Sequence, residues 1–457
     1  MDAARTVRHR DGVALALAAG VAAAGLGVDR LAGAVEVFAP ARLSVNYGFL
    51  LLEAFLLGRL FARVGLPRIS GYMVAGILFG PYALGFVDEG WVGPMRLIDD
   101  LALTFIALTA GAELELSVLR ARARSIAWVC GVGMAVTAGG VALVTLGLHR
   151  WNPVVPGGGG RLVVAAVLMG VVAVARSPTS AIAVINECRA KGPFTDTVFG
   201  VTVAVDTLVI LLFAVAMAVG EALAGASAGV DLWFLGTVSG QLAVSVALGV
   251  GIGWTLAWYI HRVEAELTVV LVVLSFLITE LARWLSHHVD LWFGLAMHLE
   301  PLLMATAAGF VVRNFTDQGE RLAEALHGVA LPIFVVFFSM AGVALDLGAL
   351  ARNWAVALAL VAARMGLLSL SSYWGCRIAG QDRRFSALCG LGFYAQAGVS
   401  LGLAQEVARR FPGWGEAVTT LLVAGIAVNQ VAGPVALKFA LDRMGESGRA
   451  PPDGEPR

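Results

Sequence analysis

A single carboxylate, Asp206, interrupts the run Val201–Val219, which holds no other charge. In hydrocarbon a lone acid is expensive, so it must face a partner, a water-filled cavity or an ion. Just upstream, Val-Ala-Val-Ala-Arg-Ser-Pro-Thr-Ser at 172–180 places a proline and hydroxyls inside another apolar segment. Such a break frees backbone carbonyls and leaves helix ends pointing at a site. Carboxylate, hydroxyl and carbonyl oxygens together suit a hard cation, and the same carboxylate can take up a proton instead. The stretch Arg161–Glu221 is therefore expected to form a cation and proton site. Asp206 is its shared ligand, and Thr202, Ser177 and Thr179 are its hydroxyl candidates. For each hydroxyl a bond to its own helix backbone is the competing reading.

Further polar residues sit in apolar surroundings. Arg364 lies in Val361-Ala-Ala-Arg-Met-Gly-Leu, and Glu113 lies near the end of another apolar segment. Charges inside a membrane usually pair, which makes Glu113 the expected partner of Arg364, with Glu53, Glu115 and Glu280 as competitors. Gln396, in Gly392–Ser400, offers an amide to the interrupted helix. His287-His288, and His298 with Glu300, lack a third ligand at metal spacing, so no transition metal is expected. No Ser/His/Asp or paired-carboxylate arrangement points to an enzyme. Cys130, Cys188, Cys376 and Cys389 are scattered without CxxC spacing and read as small packing residues.

The elements that must position these residues follow from composition. Of 457 residues, 59% are hydrophobic and 14% charged, with a mean hydropathy of +0.83. That composition identifies an all-α polytopic membrane protein and excludes a soluble one. Net charge is zero, so nothing implies a nucleic-acid partner. All basic residues except Lys191 and Lys438 are arginines, a hint of a GC-rich bacterial genome and of a cell-membrane location. No cofactor motif follows the membrane part.

Fourteen spans are expected, at roughly 12–28, 45–64, 69–87, 97–117, 125–148, 161–187, 195–220, 232–259, 267–284, 293–312, 326–347, 353–376, 385–408 and 416–441. The first is read as a retained signal anchor. Arginine-rich loops fall on one side of this threading, which places both termini in the cytoplasm. Residues 1–44 then form an extra helix and loop, 45–222 a first six-helix repeat, and 223–262 a linker helix. Residues 263–442 form a second, inverted repeat, and 443–457 a disordered tail. The fifth members of the two repeats are both interrupted, at Ser177-Pro178-Thr179 and at Gly392–Ser400. Paired interruptions in inverted repeats mark a transporter's binding site.

Several motifs also resemble a known family. Gly71-Tyr-Met-Val-Ala-Gly-Ile-Leu-Phe-Gly-Pro-Tyr-Ala-Leu-Gly85 resembles the GYxxAGxxxGPxxLG signature of the monovalent cation:proton antiporter superfamily, closest to its Kef-like (CPA2) branch. Phe105–Leu114, Ser177–Ser180, Asp206, Leu331–Gly342 and Gly433-Pro434 follow in the same order as that family's other motifs. The resemblance implies a thirteen-helix antiporter fold, here with one helix more, and a homodimer with a mobile core that moves like an elevator. It implies exchange of Na⁺ or K⁺ for H⁺ at Asp206, without a cofactor, and a basic residue, Arg364, that stabilises the unwound core.

Two residues depart from the family. Val205 stands where electrogenic members carry a second acid, so electroneutral one-for-one exchange is expected. Arg176 stands where a small or polar residue is usual, beside the break, where it could pair with Asp206. Because of Arg176, a non-exchanging sensor or anion-handling descendant of the fold stays open, and independently of it so does a K⁺ efflux system gated by a separate subunit.

Overall fold

A computed structural model describes residues 20, 39–87, 89–150, 159–223, 232–263, 266–293, 299–345, 347–396, 398–411 and 413–449. The expected first span, 12–28, falls outside these residues apart from the helical Gly20. Every described regular element is a helix: α1 (Ala39–Arg63), α2 (Arg68–Phe79), α3 (Glu89–Glu113), α4 (Leu116–Leu148), α5 (Gly160–Val174), α6 (Pro178–Cys188), α7 (Pro193–Leu223), α8 (Leu232–Arg262), α9 (Leu267–Phe293), α10 (Pro301–Phe315), α11 (Gly319–Val343), α12 (Leu347–Ala379), α13 (Arg383–Cys389), a 3₁₀ turn at Gly390–Phe393, α14 (Gly398–Arg410) and α15 (Gly415–Met444). Among the described residues nine helical stretches are long and apolar enough to cross a membrane, and Arg68–Phe79 and Pro301–Phe315 are shorter apolar helices.

Large apolar side chains lie on the outside of several helices. On α9, Val269, Val273, Leu277, Leu281 and Trp284 are exposed at one-turn spacing, and Trp254 and Trp258 are exposed on α8. An aqueous surface would not tolerate such stripes, whereas lipid does.

The chain divides into two compact units, Met1–Ala102 with Ala330–Leu347, and Leu103–Val329 with Gly348–Arg457. In the first, Leu50, Phe79, Phe86, Val87, Met340 and Val343 form a core, with the Phe79 and Phe86 rings edge to face at 5.7 Å. Its helix α2 stops at Gly80-Pro81, where proline withdraws the next amide, and the chain turns back through Phe86 N–H to Phe79 O at 3.1 Å. In the second unit, α4 packs on α5 and α7, and α8 packs on α10. Small residues permit these approaches: any Cβ on Gly111 of α3 would strike the Thr306 carbonyl of α10, and one on Gly309 would strike Leu108 O. In lipid such close backbone packing holds helices together.

Two helices of the second unit break where the sequence interrupts them. Between α5 and α6 residues 175–177 leave the helix, and after the 3₁₀ turn residues 394–396 do the same. Ser177 and Pro178 explain the restart of α6. Proline fits the first helical position, where no amide is needed, and the Ser177 hydroxyl accepts from Ser180 N–H at 3.1 Å as N-cap. At the C-terminus the structure departs from expectation. The disordered tail expected from 443 begins as ordered chain, since α15 runs to Met444 and closes on left-handed Gly445 (φ 69°). The next residue, Glu446, is 3% exposed. Its carboxylate accepts from Phe194 N–H at 2.9 Å, Thr195 N–H at 2.8 Å and the Thr195 hydroxyl at 2.7 Å. These are free donors at the start of α7, the helix that carries Asp206, which is why a polar tail residue is buried there.

Candidate functional site

The two breaks meet. Ser177 N–H donates to Ala395 O at 3.1 Å, so each interrupted helix supplies a partner for the other. The carbonyls freed by the breaks still need donors, because a membrane interior offers none. Arg364 of α12 supplies most of them. It is 3% exposed, and its Nε donates to Ala173 O at 2.8 Å. Its Nη1 donates to Tyr394 O at 2.8 Å, and its Nη2 to Ala175 O at 2.9 Å and Phe393 O at 3.4 Å. One rigid guanidinium fork thus spans both broken helices, which a lysine point charge could not do. Gln396 adds a donor from Nε2 to Val172 O at 3.1 Å, and its own carbonyl accepts from Asn429 of α15 at 2.8 Å.

The expected Arg364–Glu113 pair is not formed. The Arg364 donors are taken by backbone carbonyls, and Glu113, at the end of α3, lies 3.0 Å from His327 Nε2. Two of the competing acids have other partners as well: Glu115 pairs with Arg313, and Glu280 lies 2.8 Å from Arg283.

A cavity of about 60 Å³ opens beside the crossing. Its lining includes Asp206, Ser177, Thr179, Thr306 and Glu300, among leucine, valine and isoleucine walls. One water needs ~10–15 Å³ by the same kind of measure, so the cavity has room for a small ion and some of its hydration. Asp206 is half-buried, and its Oδ1 is enclosed without a hydrogen-bond partner among the described residues. Ser177 and Thr179 reach the cavity rim through a local hydroxyl cluster, with 2.9 Å between Ser177 Oγ and Thr179 Oγ1. Thr202 does not join them. It is absent from the cavity lining, and its hydroxyl donates to Val198 O at 2.8 Å on its own helix. The cavity side of α7 is made by Val203, Asp206, Thr207 and Ile210; Thr202, one turn before Asp206, stands at the edge of that arc.

Arg176 is buried at 2% exposure, but it does not pair with Asp206. Its guanidinium carbon lies 4.0 Å from the Phe393 ring centre, and a Cβ on Gly133 would come within 2.8 Å of Nη2. Among the described residues none of its three side-chain nitrogens has a hydrogen-bond partner. A cation over an aromatic face gains some compensation, and the absent side chain at Gly133 gives it room.

In the sequence Glu300 reads only as a poor metal ligand beside His298, itself outside the described residues. The structure places Glu300 in the lining of the same cavity as Asp206. The only local signal was its position directly before Pro301, at a helix start.

Comparison with known proteins fits this architecture. The profile of the family described as sodium/hydrogen exchanger, transmembrane, matches residues 50–439. The chain belongs to this family. Within it, the chain is similar to the Na(+)/H(+)-K(+) antiporter GerN of Bacillus cereus, at 25% identity over 359 residues, covering 78% of this chain and 85% of GerN. Two solved structures of the sodium proton antiporter MjNhaP1 from Methanocaldococcus jannaschii share the fold. Their TM-scores are 0.63 and 0.68 at 13% identity, and they cover 88% and 89% of this chain and 97% and 98% of theirs. The chain is thus a multi-pass membrane protein of an exchanger family with the fold of a cation antiporter.

Proposed function

We propose that the protein is a secondary active transporter that exchanges a monovalent cation, Na⁺ or K⁺, for H⁺ by alternating access, with Asp206 binding the two in turn. The observation that carries this reading is the enclosed, partnerless Oδ1 of Asp206 at a cavity beside two crossed helix breaks. A proton or a cation on that carboxylate supplies what the protein leaves out, and either loaded form is neutral. Competition for one group then couples the two fluxes without a separate gate. Ser177 and Thr179 offer neutral oxygens to the cation, while Arg364 and Gln396 keep the broken backbone satisfied so that the site survives each transit. The likeness to GerN and MjNhaP1, named as antiporters, points the same way.

The proposal extends to the expected arrangement: fourteen helices in two inverted repeats, both termini cytoplasmic, working as a homodimer in a bacterial cell membrane. If Asp206 alone titrates, exchange is one for one and electroneutral. Proteoliposomes with an internal pH dye and a preset proton gradient test the reading. Added Na⁺ or K⁺ should dissipate the gradient in wild type and fail to do so in Asp206→Asn. Equal rates in the two proteins across pH 6–9 sink it.

A further inference from the structure

We propose that Glu300 is a second carboxylate ligand for the transported cation, sharing the cavity with Asp206. The inference rests on the cation:proton reading of that cavity. It starts from an unspent functional group. Glu300 is the residue before α10, where the preferred caps are the shorter Ser, Thr, Asp and Asn, and its longer side chain is left uncommitted to the free amides of the helix. The residue lines the cavity, and among the described residues it has no ion-pair partner.

The backbone holds it there. Leu299 N–H donates to Ser286 Oγ of α9 at 3.0 Å, and Glu300 N–H donates to Ser245 Oγ of α8 at 3.0 Å. Both hydroxyls are themselves fixed, because Ser286 donates to Ala282 O at 2.7 Å and Ser245 to Gln241 O at 2.8 Å. Two neighbouring helices therefore tether the segment that delivers the carboxylate, the support that a binding ligand needs. Arg176 also belongs to the cavity lining, but its guanidinium lies on Phe393; two partnerless acids in an otherwise mostly apolar lining repel each other and are each costly in isolation. A cation that both carboxylates reach relieves both costs at once. Thr306, in the second turn of α10 on the cavity side, adds an oxygen whose hydrogen is already given to Leu302 O at 2.8 Å. Such a hydroxyl is left as an acceptor, suited to an ion.

A second acid also removes the argument that a single titrating group enforces one-for-one exchange. With Val205 beside Asp206, the second carboxylate arrives from another helix rather than from the adjacent position.

The test is equilibrium binding of radiolabelled sodium and of rubidium, as a potassium stand-in, to the purified full-length protein in detergent. Glu300→Gln should weaken binding about tenfold or more, a change of ~1.4 kcal/mol. Glu300→Asp should recover part of the loss, and Asp206→Asn should abolish binding. A purely structural role for Glu300 would lower the yield of folded protein, read from its elution profile, without changing the affinity of what remains. Wild-type affinity in Glu300→Gln, alongside loss in Asp206→Asn, overturns the proposal and leaves the reading of Asp206 intact. Wild-type affinity in Asp206→Asn as well removes that reading and this proposal together.

Discussion

Replacing Arg364 with methionine keeps most of the side-chain volume and removes the group that holds the two helix breaks. Three of its hydrogen bonds are 2.9 Å or shorter, to Ala173, Tyr394 and Ala175. Hydrogen bonds to a charged group contribute about 1.5–3 kcal/mol each, giving roughly 4–9 kcal/mol in gross. Water and small backbone shifts recover part of that, and removal of one buried charged partner typically costs about 3–5 kcal/mol. At about 2 °C per kcal/mol for a long chain, Arg364→Met should melt roughly 6–10 °C below wild type. The measurement is thermal unfolding in detergent followed by the size-exclusion peak of the folded protein. Arg364→Lys should fall between the two, because an ammonium retains the charge but cannot reach three carbonyls in a fixed fork. If Arg364→Met melts within about 2 °C of wild type, the carbonyls are satisfied by other means. The crossing would then not depend on this residue.

Three further outcomes are expected. Glu446→Ala leaves the first amides of α7 unpaired and should lower stability by about 1–2 kcal/mol, and truncation before Glu446 should do the same in the same melt. Arg176→Met replaces a buried guanidinium that has no hydrogen-bond partner among the described residues, so it should raise stability by about 1–4 kcal/mol; a comparable drop contradicts the reading. Gly433→Ala pushes a methyl against the backbone of Ala395, whose carbonyl receives Ser177 N–H. It should cost about 1–3 kcal/mol and slow cation-driven dissipation of a proton gradient by at least tenfold, and an unchanged rate would show that the crossing tolerates displacement.

Helices were legible because their signals are local. Apolar runs about 20 residues long mark spans, and the described helices fall within a few residues of most expected bounds. Proline and glycine mark the two breaks for equally local reasons, a missing amide and a missing side chain. Partnerships were not legible, since they depend on tertiary placement. Arg364 and Glu113 look like a pair along the chain because both are charges in apolar sequence. In the fold, the breaks create four carbonyl acceptors for Arg364 before any acid is needed. Thr202 shows the limit of counting residues per turn: one turn from Asp206 is near it in space but outside the cavity lining. Glu300 is nearly a hundred positions from Asp206, and nothing local distinguishes it from an ordinary acid at a helix start. Glu446 sits in a sequence that reads as tail, and only the unpaired start of α7 gives it a place.

The polar groups around the crossing therefore fall into two sets with different physical meanings. Arg364, Gln396, Asn429 and the Ser177 hydroxyl have protein partners, and together they make an irregular backbone tolerable inside a membrane. Asp206 and Glu300 stay half-buried at the cavity, with carboxylates that the described residues do not neutralise. The crossing satisfies six of its backbone carbonyls from within the protein and leaves two acids unanswered beside them, the contrast on which the proposed cation site rests. Arg176 has the burial of the first set and the missing partners of the second, with its guanidinium lying on Phe393 rather than on either acid. Its fixed positive charge opposes cation binding only if the cavity feels it, and costs stability only if nothing compensates it. Methionine at this position separates the two. A rise in melting temperature with unchanged cation affinity makes Arg176 an uncompensated structural charge, whereas a rise in affinity makes it a brake on the site.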